Sequence, residues 1–134
     1  MIQLEPNEQK DILEVELFHQ KQCKSLCIFS HFDKHQKLDA YVVVMIETIN
    51  KLGFDIVFVT TSSKIEENEL YKIKNYLLMS VVKKNRGYDF ISWKTALSLV
   101  PDYKKYEMVL HLNDSIFFPL TDPKKMFDIM EKRY

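Results

Sequence analysis

Two polar clusters in this chain carry the residue types that chemistry needs. Asn85, Arg86, Gly87, Tyr88 and Asp89 stand together, and Asn113, Asp114 and Ser115 follow Leu112 further along. Each cluster closes an apolar run, so each is expected at the carboxyl end of a β-strand. In an open α/β sheet that edge binds ligands, because loops there hold polar groups over a rigid platform. A carboxylate between two neutral oxygen donors, as in Asn113-Asp114-Ser115, suits a divalent ion and a diphosphate. Mg or Mn takes oxygen ligands, and one carboxylate suffices when water and phosphate oxygens complete the shell. The same triplet has the residue types of a turn with a helix cap. Against that, apolar Ile116, Phe117 and Phe118 resume directly after it, unlike an ordinary exposed loop.

In the earlier cluster Gly87 is one of only two glycines in the chain. It permits a tight turn or a close backbone approach to a ligand. Arg86 offers a planar fork that matches phosphate oxygens, with Lys83 and Lys84 beside it. Asp89 either caps the helix that follows or accepts a hydrogen bond from a ribose or nucleobase. A third group, Ser30-His31-Phe32-Asp33-Lys34-His35, closes the first apolar run. His31 and His35 have a metal-binding spacing only on a helix. After a strand, a loop that covers a nucleotide is the better reading. His111, inside an apolar run, reads as a satisfied core histidine. No glycine-rich phosphate loop, Ser-His-Asp set or pair of catalytic glutamates can be assembled from the rest.

These clusters need a scaffold. Apolar runs at 26–30, 55–61, 80–84 and 107–112 read as strands, and their near-continuous hydrophobicity predicts a parallel sheet covered on both faces. Between them Leu38, Tyr41, Val42, Met45, Ile46, Ile49 and Leu52 share one helical face, with Gly53 suited to a left-handed cap. A second helix near 66–78 sets Leu70, Ile73, Tyr76 and Leu77 on one side. A third, at 90–100, turns Phe90, Trp93, Ala96, Leu97 and Val100 inward before Pro101. Asp122 and Pro123 open a last helix, with Met126, Phe127 and Met130 as its stripe. Residues 8–22 read as a lead-in helix with Ile12, Leu13, Leu17 and Phe18 as its apolar residues. The chain thus divides into an N-terminal helical lead-in over 1–24 and an α/β domain over 25–134. The expected fold class is α/β, a mainly parallel, doubly wound sheet with helices on both faces.

Hydrophobic residues make up 46% of the 134 and charged residues 28%, the balance of a domain that buries its core without disulfide or metal. The formal net charge is zero, so no global field draws the chain to nucleic acid or an anionic bilayer. No apolar stretch is long enough to span a membrane, and no signal peptide opens the chain. A cytoplasmic location is expected. Cys23 and Cys27 read as free thiols in or near the core; with His31 and His35 they approach a zinc set without matching a familiar one.

Four landmarks resemble the rhamnan synthesis protein F family over residues 26–130. They are Phe29-Ser30-His31-Phe32-Asp33, Val57-Phe58-Val59-Thr60, Asn85-Arg86-Gly87-Tyr88-Asp89-Phe90, and Leu112-Asn113-Asp114-Ser115 leading to Pro119-Leu120. The resemblance implies a nucleotide-sugar-binding fold of the glycosyltransferase A type. It implies transfer of rhamnose or a related sugar from a nucleoside diphosphate, a dTDP-rhamnose-like donor. The acceptor would be a glycan or lipid-linked glycan of a bacterial cell-surface polysaccharide. By the same resemblance, residues 30–33 form the first nucleotide-contacting loop and Asp89 helps hold the nucleoside. Asn113-Asp114-Ser115 takes the place of an Asp-X-Asp metal motif, with Asp114 its only carboxylate. The expected substrate-binding set is Ser30, His31, Asp33, Arg86, Gly87, Asp89, Asn113, Asp114 and Ser115, with Asp114 also the metal ligand. Such transferases continue into an acceptor-binding half with the catalytic base, so a donor-binding part is expected here, in the cytoplasm or peripheral at the inner face of the membrane. Two other readings stay open. One is a non-catalytic module of the same fold that binds a nucleotide or a partner transferase. The other is a flavodoxin-like or response-regulator-like domain, whose acidic positions Asp33 and Asp89 fit poorly.

Overall fold

Runs rich in valine, isoleucine and phenylalanine become buried strands in the computed structural model, which describes residues 4, 6–19, 22–31, 38, 40–61, 66–84, 89–100 and 103–113. The strands are β1 (Ile12–Leu17), β2 (Ser25–His31), β3 (Phe54–Thr60), β4 (Met79–Lys83) and β5 (Met108–Asn113). They form one sheet in the order β1-β4-β3-β2-β5. The four later strands run parallel and β1 lies antiparallel to β4. β3 and β4 are buried along their whole length, and β2 from Leu26 onward. Burial on both faces leaves no solvent side to be marked by polar residues.

The helices are α1 (Pro6–Lys10), α2 (Ala40–Lys51), α3 (Glu67–Tyr71) and α4 (Asp89–Leu99). On one face Val42, Met45, Ile46 and Ile49 of α2, with Ile73 and Leu77, pack on Cys27, Phe29, Ile56 and Phe58. On the other, Ala96, Leu97 and Val100 at α4 pack on Leu26, Ile28, Val57, Val59 and Val81. Successive residues of one strand feed opposite cores, as the period of two requires. Phe29 and Phe58 stack across β2 and β3, their centroids 6.0 Å apart and their planes at 15°. The two layers follow from handedness. β2, β3 and β4 step in one direction across the sheet, while the path from β4 to β5 returns past β2. Right-handed crossovers running in opposite directions must lie on opposite faces. The sheet is therefore doubly wound, as expected.

α2 ends where Gly53 takes φ 98°, with the Gly53 N–H donating to the Asn50 carbonyl at 3.0 Å. A Cβ at Gly53 would meet nothing within 4 Å, so only the left-handed backbone opposes a side chain. Gly53→Ala should cost about 1–2 kcal/mol in urea unfolding, and Gly53→Asn less. Equal stability of the alanine variant would contradict this.

Three expectations need correction. The lead-in helix over 8–22 is absent: α1 stops at Lys10 and β1 takes over. Leu13, Val15 and Leu17 alternate with Glu14 and Glu16, a strand period, and β4 would otherwise show an unpaired edge. The helix over 66–78 is shorter, α3 followed by a 3₁₀ turn at Lys74–Tyr76. Leu78 must donate its N–H to the Ile56 carbonyl as β4 begins, which excludes a continuous helix. Ile73 and Leu77 are buried all the same. Tyr41, placed on the buried face of α2, is instead exposed. The side chains of Phe90 and Trp93 and the last helix from Asp122 lie outside the described residues.

At the amino edge of the sheet, Asp55 gathers three donors on Oδ2. The N–H groups of Gln22 and Cys23 lie at 3.0 and 3.2 Å, and the Tyr106 hydroxyl at 2.7 Å. One buried carboxylate thus fixes the segments leading into β2 and β5. Burial first, then the hydrogen bond and negative charge of Asp55, push the Cys23 thiol up to about 11. Burial also raises the Cys27 thiol. At pH 8 the thiolate fraction of Cys23 should be about a hundredfold below that of an ordinary cysteine. Slow labelling by a thiol reagent in the folded protein, and normal labelling in urea, is the expected result. The sign for stability follows. The unfolded thiol ionises near 9.0 and the folded Cys23 near 11, so this contribution is whole below pH 9 and declines as pH rises through that window.

Candidate functional site

Strand order decides where a ligand can sit. β3 and β4 lie to one side of β2, and β5 lies to the other. The strand order thus reverses between β2 and β5, with α2 on one face and α4 on the other, and in open α/β sheets ligands bind beyond the carboxyl ends of the strands at such a point. Ser30 and His31 close β2, and Asn113 closes β5. The parallel register sets Ser30 beside Asn113 on one side and beside Val59 on the other. Two landmarks far apart in sequence are thereby adjacent across one strand spacing, about 4.8 Å.

Two polar pairs flank this edge, one on each face. His31 is buried; its Nδ1 lies 3.0 Å from the Thr60 Oγ1, and its ring tilts against Phe58 at 5.2 Å. The Thr61 N–H donates to the His31 carbonyl at 3.0 Å. These contacts lie on the face that α2 covers. On the face of α4, the Ser30 Oγ lies 2.9 Å from the His111 Nε2. His111 is half-buried and hydrogen-bonded, as a satisfied histidine should be, yet its partner is a residue of the candidate site. At the end of β4, Lys83 is buried with its Nζ donating to the Lys84 carbonyl at 2.9 Å, while Lys84 is exposed. A solvated face, the ordinary reading of such lysines, thus holds for Lys84 and not for Lys83.

Ser30 and His31 are described in full, and Asn113 and Asp89 through their backbone: Asn113 ends β5 and Asp89 opens α4. Asp33, Arg86, Gly87, Asp114 and Ser115 lie outside the described residues, as does His35. The residues that sequence reasoning missed are Thr60 and Lys83 as buried parts of this edge, and His111 as the partner of Ser30. A lysine and a threonine closing apolar runs were the available signal, since a buried polar group must be paired. Chemically, the edge offers hydroxyl and imidazole groups next to a position where a carboxylate, Asp114, follows directly in sequence. Among the described residues no cluster of His, Cys, Asp or Glu is arranged to hold a metal ion. No helix among them is long and apolar enough to cross a membrane. A cleft of ≈ 600 Å³ lies elsewhere, between β1 and α3.

Compared with known families, residues 56–134 match the model of Rhamnan synthesis protein F. No curated protein and no solved structure matches the chain. The matched segment runs from β3 through the stretches that hold Arg86, Asp89 and Asn113-Asp114-Ser115.

Proposed function

Because the chain belongs to the rhamnan synthesis protein F family, a family of cell-surface polysaccharide synthesis, we propose that it is the donor-binding part of a glycosyltransferase. The donor is a nucleoside-diphosphate sugar, with rhamnose or a related sugar transferred to a glycan or lipid-linked acceptor at the inner face of the membrane. The observation that carries this reading is the adjacency of Ser30 and Asn113 at the switch point between β2 and β5. Such a switch point is where open α/β sheets hold nucleotides.

In this reading an acceptor hydroxyl attacks the anomeric carbon, and the nucleoside diphosphate leaves with its bonding electrons. Arg86 and Lys84 offset the negative charge that develops on the diphosphate. Asp89 accepts a hydrogen bond from the ribose or base. His31, held by Thr60, fixes the end of β2, two residues before Asp33 in sequence. The oxygen donors of Asn113, Asp114 and Ser115 fit a hard cation such as Mg or Mn, which would add positive charge beside the diphosphate. Asp114 would be its carboxylate ligand.

A thermal-shift screen against nucleoside diphosphates and their sugars, with and without manganese, tests the reading. A ligand at a hundred times its Kd should add about 2.7 kcal/mol of stability, a rise in Tm of several degrees. No shift with any nucleotide at millimolar concentration would contradict donor binding.

A further inference from the structure

β1 closes the sheet with one neighbour only, and its outer edge is open among the described residues. The ladder to β4 tells which backbone groups face outward. The Phe18 N–H donates to the Leu78 carbonyl at 2.9 Å, and the register continues through Glu16 with Ser80 and Glu14 with Val82. Bonded and non-bonded pairs alternate along an antiparallel ladder, so Glu14, Glu16 and Phe18 direct their backbone groups to β4. The N–H and C=O groups of Val15 and Leu17 therefore point away from the sheet. Their side chains are exposed too, at 44% for Val15 and 69% for Leu17, with Leu13 beside them at 44%. An open edge with exposed apolar side chains is a template for one more strand.

Charge selects which strand. Glu14 and Glu16 face the cleft between β1 and α3, where Glu66 and Glu67 add their carboxylates and the basic groups are Lys74 and His19. The Lys74 ammonium lies 4.1 Å over the Tyr71 ring. The ion pairs among the described residues are Lys51 with Glu47 and Lys72 with Glu69, so none of the four cleft glutamates is paired there. A second copy of this chain fits poorly. Antiparallel pairing of two β1 strands would set Glu14 and Glu16 against their own counterparts, and like charges opposite one another repel.

We propose that β1 is a β-augmentation site for an extended segment of a partner protein in which apolar and basic residues alternate. Main-chain hydrogen bonds to Val15 and Leu17 hold the segment. Its apolar side chains cover Val15 and Leu17 on one face, and its lysines or arginines meet Glu14 and Glu16 at the mouth of the cleft on the other. β1 lies at the far side of the sheet from β2 and β5, so this edge is separate from the proposed donor site.

Hydrogen exchange on the whole chain tests the proposal, with a short peptide of alternating lysine and valine as probe and a glutamate–valine peptide as control. In the free protein the amides of Val15 and Leu17 should exchange fast, and those of Glu14 and Glu16 slowly. The lysine–valine peptide should slow exchange at Val15 and Leu17, and its binding should weaken as salt is raised. The double substitution Glu14→Lys, Glu16→Lys lies on an exposed strand and should weaken binding about tenfold or more. Val15→Pro, which removes an outward N–H and leaves the β4 ladder bonded, should abolish the added protection. Three results would overturn the proposal: equal protection by the glutamate–valine peptide, protection insensitive to the β1 variants, or no protection by either peptide. Protection at Val15 and Leu17 that needs no peptide and grows with protein concentration would assign the edge to a second copy instead.

Discussion

Asp55→Ala should lower the unfolding free energy by about 3–5 kcal/mol, because three donors lose one buried acceptor together. The Gln22 and Cys23 N–H groups and the Tyr106 hydroxyl all end on Oδ2. Hydrogen bonds to a charged group are worth about 1.5–3 kcal/mol each, and groups left buried without a partner add to the loss. Tyr106→Phe removes one of the three and should cost about 1–2 kcal/mol. Urea unfolding of the two single variants and the double variant separates the terms. The double variant should be little worse than Asp55→Ala alone, since the two share an interaction. Full additivity, or a loss below about 1 kcal/mol for Asp55→Ala, would contradict the role assigned to this carboxylate. Cys23 supplies an independent readout: without the Asp55 charge its thiol should label faster in the folded protein.

The second large effect concerns ligand and not fold. Asp114→Ala should weaken nucleotide-sugar affinity by about tenfold or more, equivalent to about 1.4 kcal/mol. The expectation rests on its position directly after Asn113, which ends β5 beside Ser30. A lost turn or helix cap makes a different forecast: about 0.5–2 kcal/mol less stability with affinity unchanged. Titration calorimetry beside thermal melts tells the two apart. Unchanged affinity in a destabilised variant would return Asp114 to a structural role. Wild-type binding that persists when the ion is chelated would move the diphosphate contacts to Arg86 and Lys84.

The parts of the fold that were legible in sequence are those where local pattern and tertiary burial agree. The runs around Ile28, Val57, Val81 and Leu110 are apolar because both faces of these strands are covered, and they read as parallel strands for that reason. α2 was legible through Val42, Met45, Ile46 and Ile49, and its end through Gly53. β1 was not, because Ile12, Leu13, Leu17 and Phe18 satisfy a helical spacing while the alternation of Glu14, Val15 and Glu16 satisfies a strand. Only the free edge of β4 decides between them. The extent of α3 was hidden in the same way, since the bond from Leu78 to Ile56 is set by a distant strand. At the candidate site Ser30 and Asn113 were legible as strand ends. Their adjacency was not, because it depends on β5 lying next to β2 rather than β4, a matter of topology. The pairing of Ser30 with His111 follows from that order alone. Asp55 was missed although a signal was present: an acid between Phe54 and Ile56, inside a run otherwise apolar, must be buried and partnered.

In the proposed function a nucleoside-diphosphate sugar binds at the carboxyl edge of the sheet, between β2 and β5. An amide-resolved NMR titration with nucleoside diphosphates and manganese-free or magnesium-containing buffer addresses it directly. Shifts should concentrate at Ser30, His31, Thr61, Lys84 and Asn113, with Gln22, Cys23 and Tyr106 at the opposite edge unmoved. Shifts confined to the amino edge or to the cleft between β1 and α3, or none at millimolar nucleotide, would contradict it.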